Sequence, residues 1–343
     1  RDKSEMPLNW RGPTIYEIAD ASGVGTATVD RVLNGRTGVR EVTRQRVLQT
    51  IDRLSKPKFD ALERKARRIA VIADSGASFN KTLQEAVAKL GPLNPDFELT
   101  FDSATTADVK PVQLAQLIER TAQDSDGIVL VAREDMMISR AIRAVVARNV
   151  PVICITTDIP GSNRTAYVGN DQANNGSCAA YLMGRTLKHL SGNILLVVSA
   201  AYRAQAEREM GFRSVLRSGF PNLKVDERVN SADDYDTSYS NIRRYIADHG
   251  APLGIYNVAA GNLGIAAALK EEGLKGSVVF IGHELNTNSR MLLETDGMDY
   301  VIAHDVDTEV AMAFDLFRKY FDGTNHADIG KTPVRIYTKY NCR

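Results

Sequence analysis

The chain has 343 residues, more than one hydrophobic core supports, so two to three domains are expected. Its 43% hydrophobic and 25% charged residues are the proportions of an ordinary soluble globular protein. With no run of about 18 apolar residues and no charged-then-apolar opening segment, neither membrane insertion nor export is expected. The cysteines Cys154, Cys178 and Cys342 lie far apart with no C-x-x-C or His-containing ligand cluster, so no zinc site and no disulfide framework is expected, and a reducing cytoplasm fits. The net charge of +1 is unevenly spread: residues 1–67 hold 14 Lys+Arg and 9 Asp+Glu, the remainder 29 and 33. A basic head on a mildly acidic body implies a polyanion partner for the head.

Residues 1–13 are polar, contain Pro7 and Pro13, and read as a flexible leader. Thr14 with Glu17 forms a capping box that starts a helix carrying Ile15, Ile18 and Ala19 on one face, and Gly23 ends it. A second helix starts at Thr26, with Val29, Val32 and Leu33 facing the first before Asn34-Gly35 terminates it. Two short helices joined by a tight turn make a helix-turn-helix. The second enters the DNA major groove with Thr26, Ala27 and Thr28 nearest the base edges and Arg31 one turn on. Threonine and alanine methyls can touch thymine methyls there, while Arg31 can pair bidentately with guanine. A third helix over 41–54 closes the core with Val47, Leu48, Ile51 and Leu54, and Pro57 then punctuates.

The run I-x-x-x-A-x-x-S-G-V-x-x-x-T-V-x-R-V-L-N-G, continued by VREVTRQRV at 39–47, resembles the DNA-binding headpiece of the lactose-repressor/galactose-repressor family of bacterial regulators. The resemblance implies that Thr14, Thr26, Ala27, Thr28, Arg31 and Asn34 form the DNA-binding surface of a headpiece over 14–56. It also places a hinge at the charged segment 57–67, where Leu62 is the candidate minor-groove wedge. The family's Tyr-x-Pro-Asn signature is absent here, and a plain charged linker fits the segment equally well.

Beyond the hinge, the apolar runs RIAVIA, FELTF, GIVLVA, VPVICI, NILLVV, PLGIYN and SVVFIG alternate with amphipathic stretches, as in parallel sheets covered by helices on both faces. The resemblance supplies the architecture. The expected fold is α/β, an all-α helix-turn-helix headpiece followed by a periplasmic-binding-protein-like core of two doubly wound parallel-sheet subdomains. Subdomain one takes about 68–169 and 303–330, subdomain two about 170–300, and a final strand about 333–341.

Open parallel sheets bind ligands beyond the carboxyl ends of their strands. The polar residues at those ends are Asp74, Arg133, Asp158, Asn257 and Glu284, and Phe79 offers a face on which a sugar ring can stack. Carboxylates, an amide and arginines around a cleft suit a ligand whose hydroxyls both donate and accept. The resemblance adds Asp171, at the crossover between subdomains, and Arg208, which matches the Arg of the family's R-x-x-G-[FW] and clamps effector oxygens there. It also marks Glu284 as standing for the family's Asp, with His283 before it in place of an aromatic. His304 is a further strand-end candidate.

There is no G-x-x-x-x-G-K-[ST], H-E-x-x-H or G-x-S-x-G motif, so no enzyme, catalytic residue, metal or cofactor is expected. The sequence therefore reads as a cytoplasmic DNA-binding regulator, a repressor of a carbohydrate operon. Its effector is a sugar, polyol or sugar acid. A homodimer on a palindromic operator follows, because one headpiece covers too little DNA for sharp specificity. The competing reading is a solute-binding protein with no regulatory role.

Overall fold

The computed structural model describes residues 13–63, 66–106, 108–324 and 328–343, in two compact units divided between Ala66 and Arg67. The first unit holds three helices: α1 (Ile15–Ser22), α2 (Thr26–Leu33) and α3 (Glu41–Glu63). The capping box is formed, with the Glu17 amide donating to Thr14 Oγ1 at 3.3 Å and the Thr14 amide to Glu17 Oε2 at 2.6 Å. Gly23 ends α1 at a φ of 67°, a left-handed conformation that glycine adopts without a Cβ penalty. Ile18, Ala19, Val29, Val32 and Val47 form the core, with Val24, Val39, Ile51 and Leu54 packed around it.

Ile15, Leu33 and Leu48 stay exposed, against expectation. Ile15 and Leu33 are the end residues of their helices, beyond the packed turns, and Leu48 lies about 100° around α3 from Val47. The third helix also differs from expectation, running through Pro57 to Glu63 instead of ending at residue 54. A proline removes one helical hydrogen bond, at about 3 kcal/mol in a helix interior, and Lys58, Ala61, Leu62 and Glu63 beyond it are good helix formers. The Leu62 side chain, and all of the leader except Pro13, lie outside the described residues.

The second unit contains two six-stranded sheets. The first is built from β1 (Arg67–Ser75), β2 (Phe97–Thr105), β3 (Gly127–Val131), β4 (Val152–Ile155), β5 (Ala166–Gly169) and β11 (Ile329–Lys331), in the order β11-β5-β4-β3-β1-β2. The second holds β6 (Gly192–Val198), β7 (Leu223–Asn230), β8 (Gly254–Asn257), β9 (Val279–His283), β10 (Tyr300–Ala303) and β12 (Arg335–Tyr337), in the order β12-β10-β9-β8-β6-β7. Neighbouring strands are parallel except β10 and β12. Central strands such as β3 are buried along their whole length because helices cover both faces.

On the first sheet, α4 (Ala77–Leu90) and α12 (Val306–Phe321) pack on one face, α5 (Pro111–Asp124) and α6 (Met136–Val146) on the other. On the second, α9 (Tyr235–His249), α10 (Asn262–Glu271) and α11 (Thr287–Glu294) oppose α7 (Gln172–Thr186) and α8 (Arg203–Gly219). The chain crosses between the two lobes after β5, after β10 and between β11 and β12. The final strand is shorter than the expected 333–341, because the Thr338 amide donates to Asn341 Oδ1 at 2.6 Å and turns the chain. In each sheet the order reverses beside the first strand, between β1 and β3 and between β6 and β8, and ligands of such sheets bind at these reversals.

Candidate functional site

The strand ends of the two lobes meet across a cleft. Ser75, Gly76, Phe79, Thr156 and Thr157 line it from the first lobe, and Tyr202, Gln205, Arg208, Asp233, Val258 and Glu284 from the second. Closure is tight. A Cβ on Gly76 would stand 3.1 Å from the Asp233 Cβ, and the cavity between them measures ≈ 40 Å³. That volume alone holds only a few waters, less than a sugar ring needs. The cleft continues into an adjoining pocket of ≈ 190 Å³ that shares Phe79 and Glu284 with it and adds His304, Asp305 and Arg335.

Arg208 is 5% exposed and has no carboxylate within ion-pair distance among the described residues. Its Nε donates to Gln172 Oε1 at 2.8 Å and one Nη to the Val258 carbonyl at 3.0 Å, which leaves the other Nη for a ligand. Burial pulls its pKa down, but an arginine stays charged through the physiological range. The Asp233 carboxylate accepts from the Ala260 amide at 2.8 Å and from Ser199 Oγ at 2.9 Å, while burial pushes its pKa up. Burial also raises Glu284, against the pull of His304 and Arg208. Thr156 and Glu284 hold left-handed φ values of 65° and 69°. For a β-branched threonine this is strained backbone, of the kind concentrated at ligand sites.

Of the residues singled out in the sequence, the cleft brings together Phe79, Arg208 and Glu284, with His304 in the adjoining pocket. His304 Nδ1 lies 2.9 Å from Glu309 Oε1, its ring stacks on Phe79 with centroids 5.9 Å apart, and its Nε2 is buried without a partner. Asn257 is behind the wall. It shapes the Val258–Ala260 turn, accepting from the Ala259 amide at 3.1 Å and donating to the Ala260 carbonyl at 3.1 Å. Asp74 and Arg133 are paired with each other at 2.7 and 2.8 Å and do not line the cavity. Asp158 is likewise gripped by Arg164, at 2.6 and 2.9 Å. Asp171 is the N-cap of α7, accepting from the Asn174 amide at 3.0 Å.

Sequence reasoning missed Gln172, Tyr202, Gln205, Asp233 and Thr156. Gln172 stands one residue after Asp171, next to the position the resemblance singled out, and it joins Arg208 to the crossover by donating to the Thr156 carbonyl at 2.9 Å. Asp233 follows β7, whose polar run LKVDERVN carries no apolar strand signal.

In the head, Thr26, Ala27 and Arg31 are exposed on the leading turns of α2, and Thr28 is half-buried. Asn34 closes that helix through its side-chain amide, which donates to Asp30 Oδ1 at 2.8 Å. Thr14 is exposed within its capping box.

The family profile described as bacterial regulatory proteins, lacI family, matches residues 14–55, and the profile described as periplasmic binding protein domain matches residues 69–325. The chain belongs to the lactose-repressor/galactose-repressor family. Among its relatives, Catabolite control protein A of Streptococcus mutans is 56% identical over 41 residues, 12% of either chain. The HTH-type transcriptional regulator DegA of Bacillus subtilis is 24% identical over 63% of this chain and 64% of its own. The chain thus spans less than two thirds of the length of these relatives. A probable HTH-type transcriptional repressor, ExuR of Bacillus subtilis, is 20% identical over 71% of this chain and 72% of its own.

Among solved structures, GanP, a glucose-galactose binding protein from Geobacillus stearothermophilus, superimposes with a TM-score of 0.74 at 17% identity, covering 81% of this chain and 99% of that one. A solute binding protein from Burkholderia graminis, solved with D-arabinose, gives 0.73 at 19% identity over 81% and 98%. At such identities the likeness is one of fold. No described helix is long and apolar enough to cross a membrane, and the described residues contain no His/Cys/Asp/Glu group that could hold a metal ion.

Proposed function

We propose that this family member is a transcriptional repressor of a carbohydrate operon, with operator affinity set by a sugar-like effector in the cleft and no turnover of that effector. The observation that carries the reading is the pairing, in one chain, of a packed helix-turn-helix that exposes Thr26, Ala27 and Arg31 with a cleft holding a buried Arg208 that has no ion pair among the described residues. The first is a base-reading surface. The second is a cation with one donor arm turned to the ligand space, beside the Glu284 carboxylate and the Phe79 ring. Together they suit a hydroxyl-rich ring: hydroxyls accept from Arg208 and donate to Glu284, while the apolar ring face packs on Phe79. The effector is a sugar, polyol or sugar acid, bound by Phe79, Gln205, Arg208, Asp233 and Glu284, with His304 reached through the adjoining pocket.

The protein acts as a homodimer on a palindromic operator, since a two-fold pair doubles the DNA surface read, and it works in the compartment that holds the DNA. A solute-binding protein alone would leave the headpiece without a use. The deciding experiment is an electrophoretic shift at stated salt with operator-bearing and random duplexes, with and without sugars, polyols and sugar acids. Selective binding to the operator that one of these compounds changes is the expected result. Equal binding to both duplexes, or a response to none of the compounds, would count against it.

A further inference from the structure

On one side of the cleft a short segment, residues 201–204, leading into α8, ties the lobes together. The Ala201 carbonyl accepts from the Glu134 amide at 2.9 Å, and the Ala204 amide reaches Thr157 Oγ1 at 3.3 Å. Between these two bonds the Tyr202 side chain, 6% exposed, crosses to the opposite lobe. Its hydroxyl donates to the Asp74 carbonyl at 2.8 Å and meets Thr106 Oγ1.

The place that receives it is built by residues the sequence had marked as ligand contacts. The Arg133 fork grips the Asp74 carboxylate, and the same guanidinium donates to the carbonyls of Thr106 at 3.0 Å and Val109 at 2.8 Å. One side chain thereby locks the end of β1, the loop after β2 and the end of β3 into a rigid socket. A bidentate arginine with two further carbonyl acceptors holds Asp74, Thr106 and Val109 to one side chain.

We propose that Tyr202 is the closure latch of the effector cleft, and that Asp74 and Arg133 serve to build its socket instead of touching the ligand. The proposal rests on the reading of the core as an effector-binding unit. Parting the lobes must break the Tyr202 bonds and return the hydroxyl and the carbonyl to water, whatever the ligand is, whereas removing the hydroxyl leaves the Asp74 carbonyl unpaired in the closed form. The latch therefore biases the open–closed equilibrium directly, and through it the rate at which bound effector escapes. Burial, reinforced by the Asp74 charge, pushes the phenol's pKa up, so the hydroxyl stays protonated and remains a donor.

The test uses the full chain with one spin label on an exposed position of each lobe. Distance distributions are recorded for the parent, Tyr202→Phe and Thr106→Val, alone and with D-galactose, D-arabinose or D-glucuronate. Both variants should shift towards longer distances without sugar. For any sugar that binds the parent, its dissociation rate should rise about 5- to 20-fold in both, with association changed little. Phenylalanine keeps the ring in the cavity wall, and Thr106 does not line the cavity, so a common effect separates the latch from a direct ligand contact. Valine is close to threonine in shape, and a melting temperature near the parent's confirms that the comparison is between folded proteins. Unchanged distances in both variants would overturn the latch, as would faster dissociation in Tyr202→Phe alone. If none of the three sugars binds the parent, the effector reading suffers while the distances still decide the latch.

Discussion

At the scale of single residues, two buried histidines on neighbouring strand ends have their pKa values shifted in opposite directions. His283 Nε2 and the Tyr256 hydroxyl share a hydrogen bond at 2.8 Å, and burial, then the charges of Arg208 and His304, hold the histidine's pKa well below the ordinary value. Burial also pulls on His304, but the Glu309 carboxylate outweighs it and leaves the pKa raised. Linkage gives the two opposite signs. The contribution of neutral His283 is complete above about pH 6.5 and is lost as the pH falls towards its depressed folded value, because the unfolded chain then binds the proton more readily. The contribution of the His304–Glu309 pair is complete below about pH 6.5 and is lost as the pH rises through its raised folded value. Melting temperature measured from pH 5 to 8 should therefore fall less steeply on the acid side in His283→Gln and less steeply on the alkaline side in His304→Gln. Profiles parallel to the parent's would remove both assignments. A second expectation concerns Arg208, whose loss would leave ligand oxygens unpaired in a closed pocket. Arg208→Ala should cost about 2 to 4 kcal/mol of effector affinity by calorimetric titration, and an unchanged isotherm would exclude it as the clamp.

At the scale of elements, α7 and α8 touch backbone to backbone beside the cleft. A Cβ on Gly176 would lie 1.8 Å from the Arg208 carbonyl oxygen, and one on Gly211 2.0 Å from that of Ala173. Neither backbone can yield as a flexible side chain would, so these glycines set how closely Arg208 approaches Gln172. Gly211→Ala should force the helices apart, costing about 1 to 3 kcal/mol of stability and weakening effector binding along with it. Asp171→Ala is the contrast. It removes only the N-cap of α7, so about 1 kcal/mol of stability should go while effector affinity stays within about threefold. Chemical denaturation paired with effector titration of both variants reads the difference, and a large affinity loss in Asp171→Ala would return that carboxylate to the binding site. The same contrast shows what the sequence could reveal. Helix caps and the apolar runs of RIAVIA or GIVLVA are local patterns, and they emerged in place. The R-x-x-G-F run pointed to Arg208 because the glycine and the arginine meet the same neighbouring helix. Which polar strand-end residue faces the cleft was not legible, because that depends on partners far along the chain: Arg133 is 59 residues from Asp74, and Tyr202 is 128 from the carbonyl it reaches. Pro57 misled in the opposite direction, since a local breaker was outweighed by the helix formers around it.

At the scale of the whole molecule, the head joins the first strand of the core through the few residues after Glu63, and β1 carries at its far end the Asp74 carbonyl that receives Tyr202. A ligand that holds the cleft closed shifts the molecule only by the difference between its affinities for the closed and the open form. If the operator discriminates between the same two forms, effector and DNA must change each other's binding by one common factor, typically about 5- to 150-fold for a coupling of about 1 to 3 kcal/mol. Whether the effector releases DNA or recruits the protein to it reverses the sign of that coupling and leaves the equality untouched. Tyr202→Phe weakens closure without touching the head, so it should alter operator affinity in the absence of effector while keeping the two factors equal. The measurement is a square of four titrations on the parent and the same four on the variant: operator binding with and without saturating effector, and effector binding with and without saturating operator. Factors that disagree within either protein would show that more than two conformations participate, and an operator affinity identical in parent and variant would mean that closure of the cleft is not what the head senses.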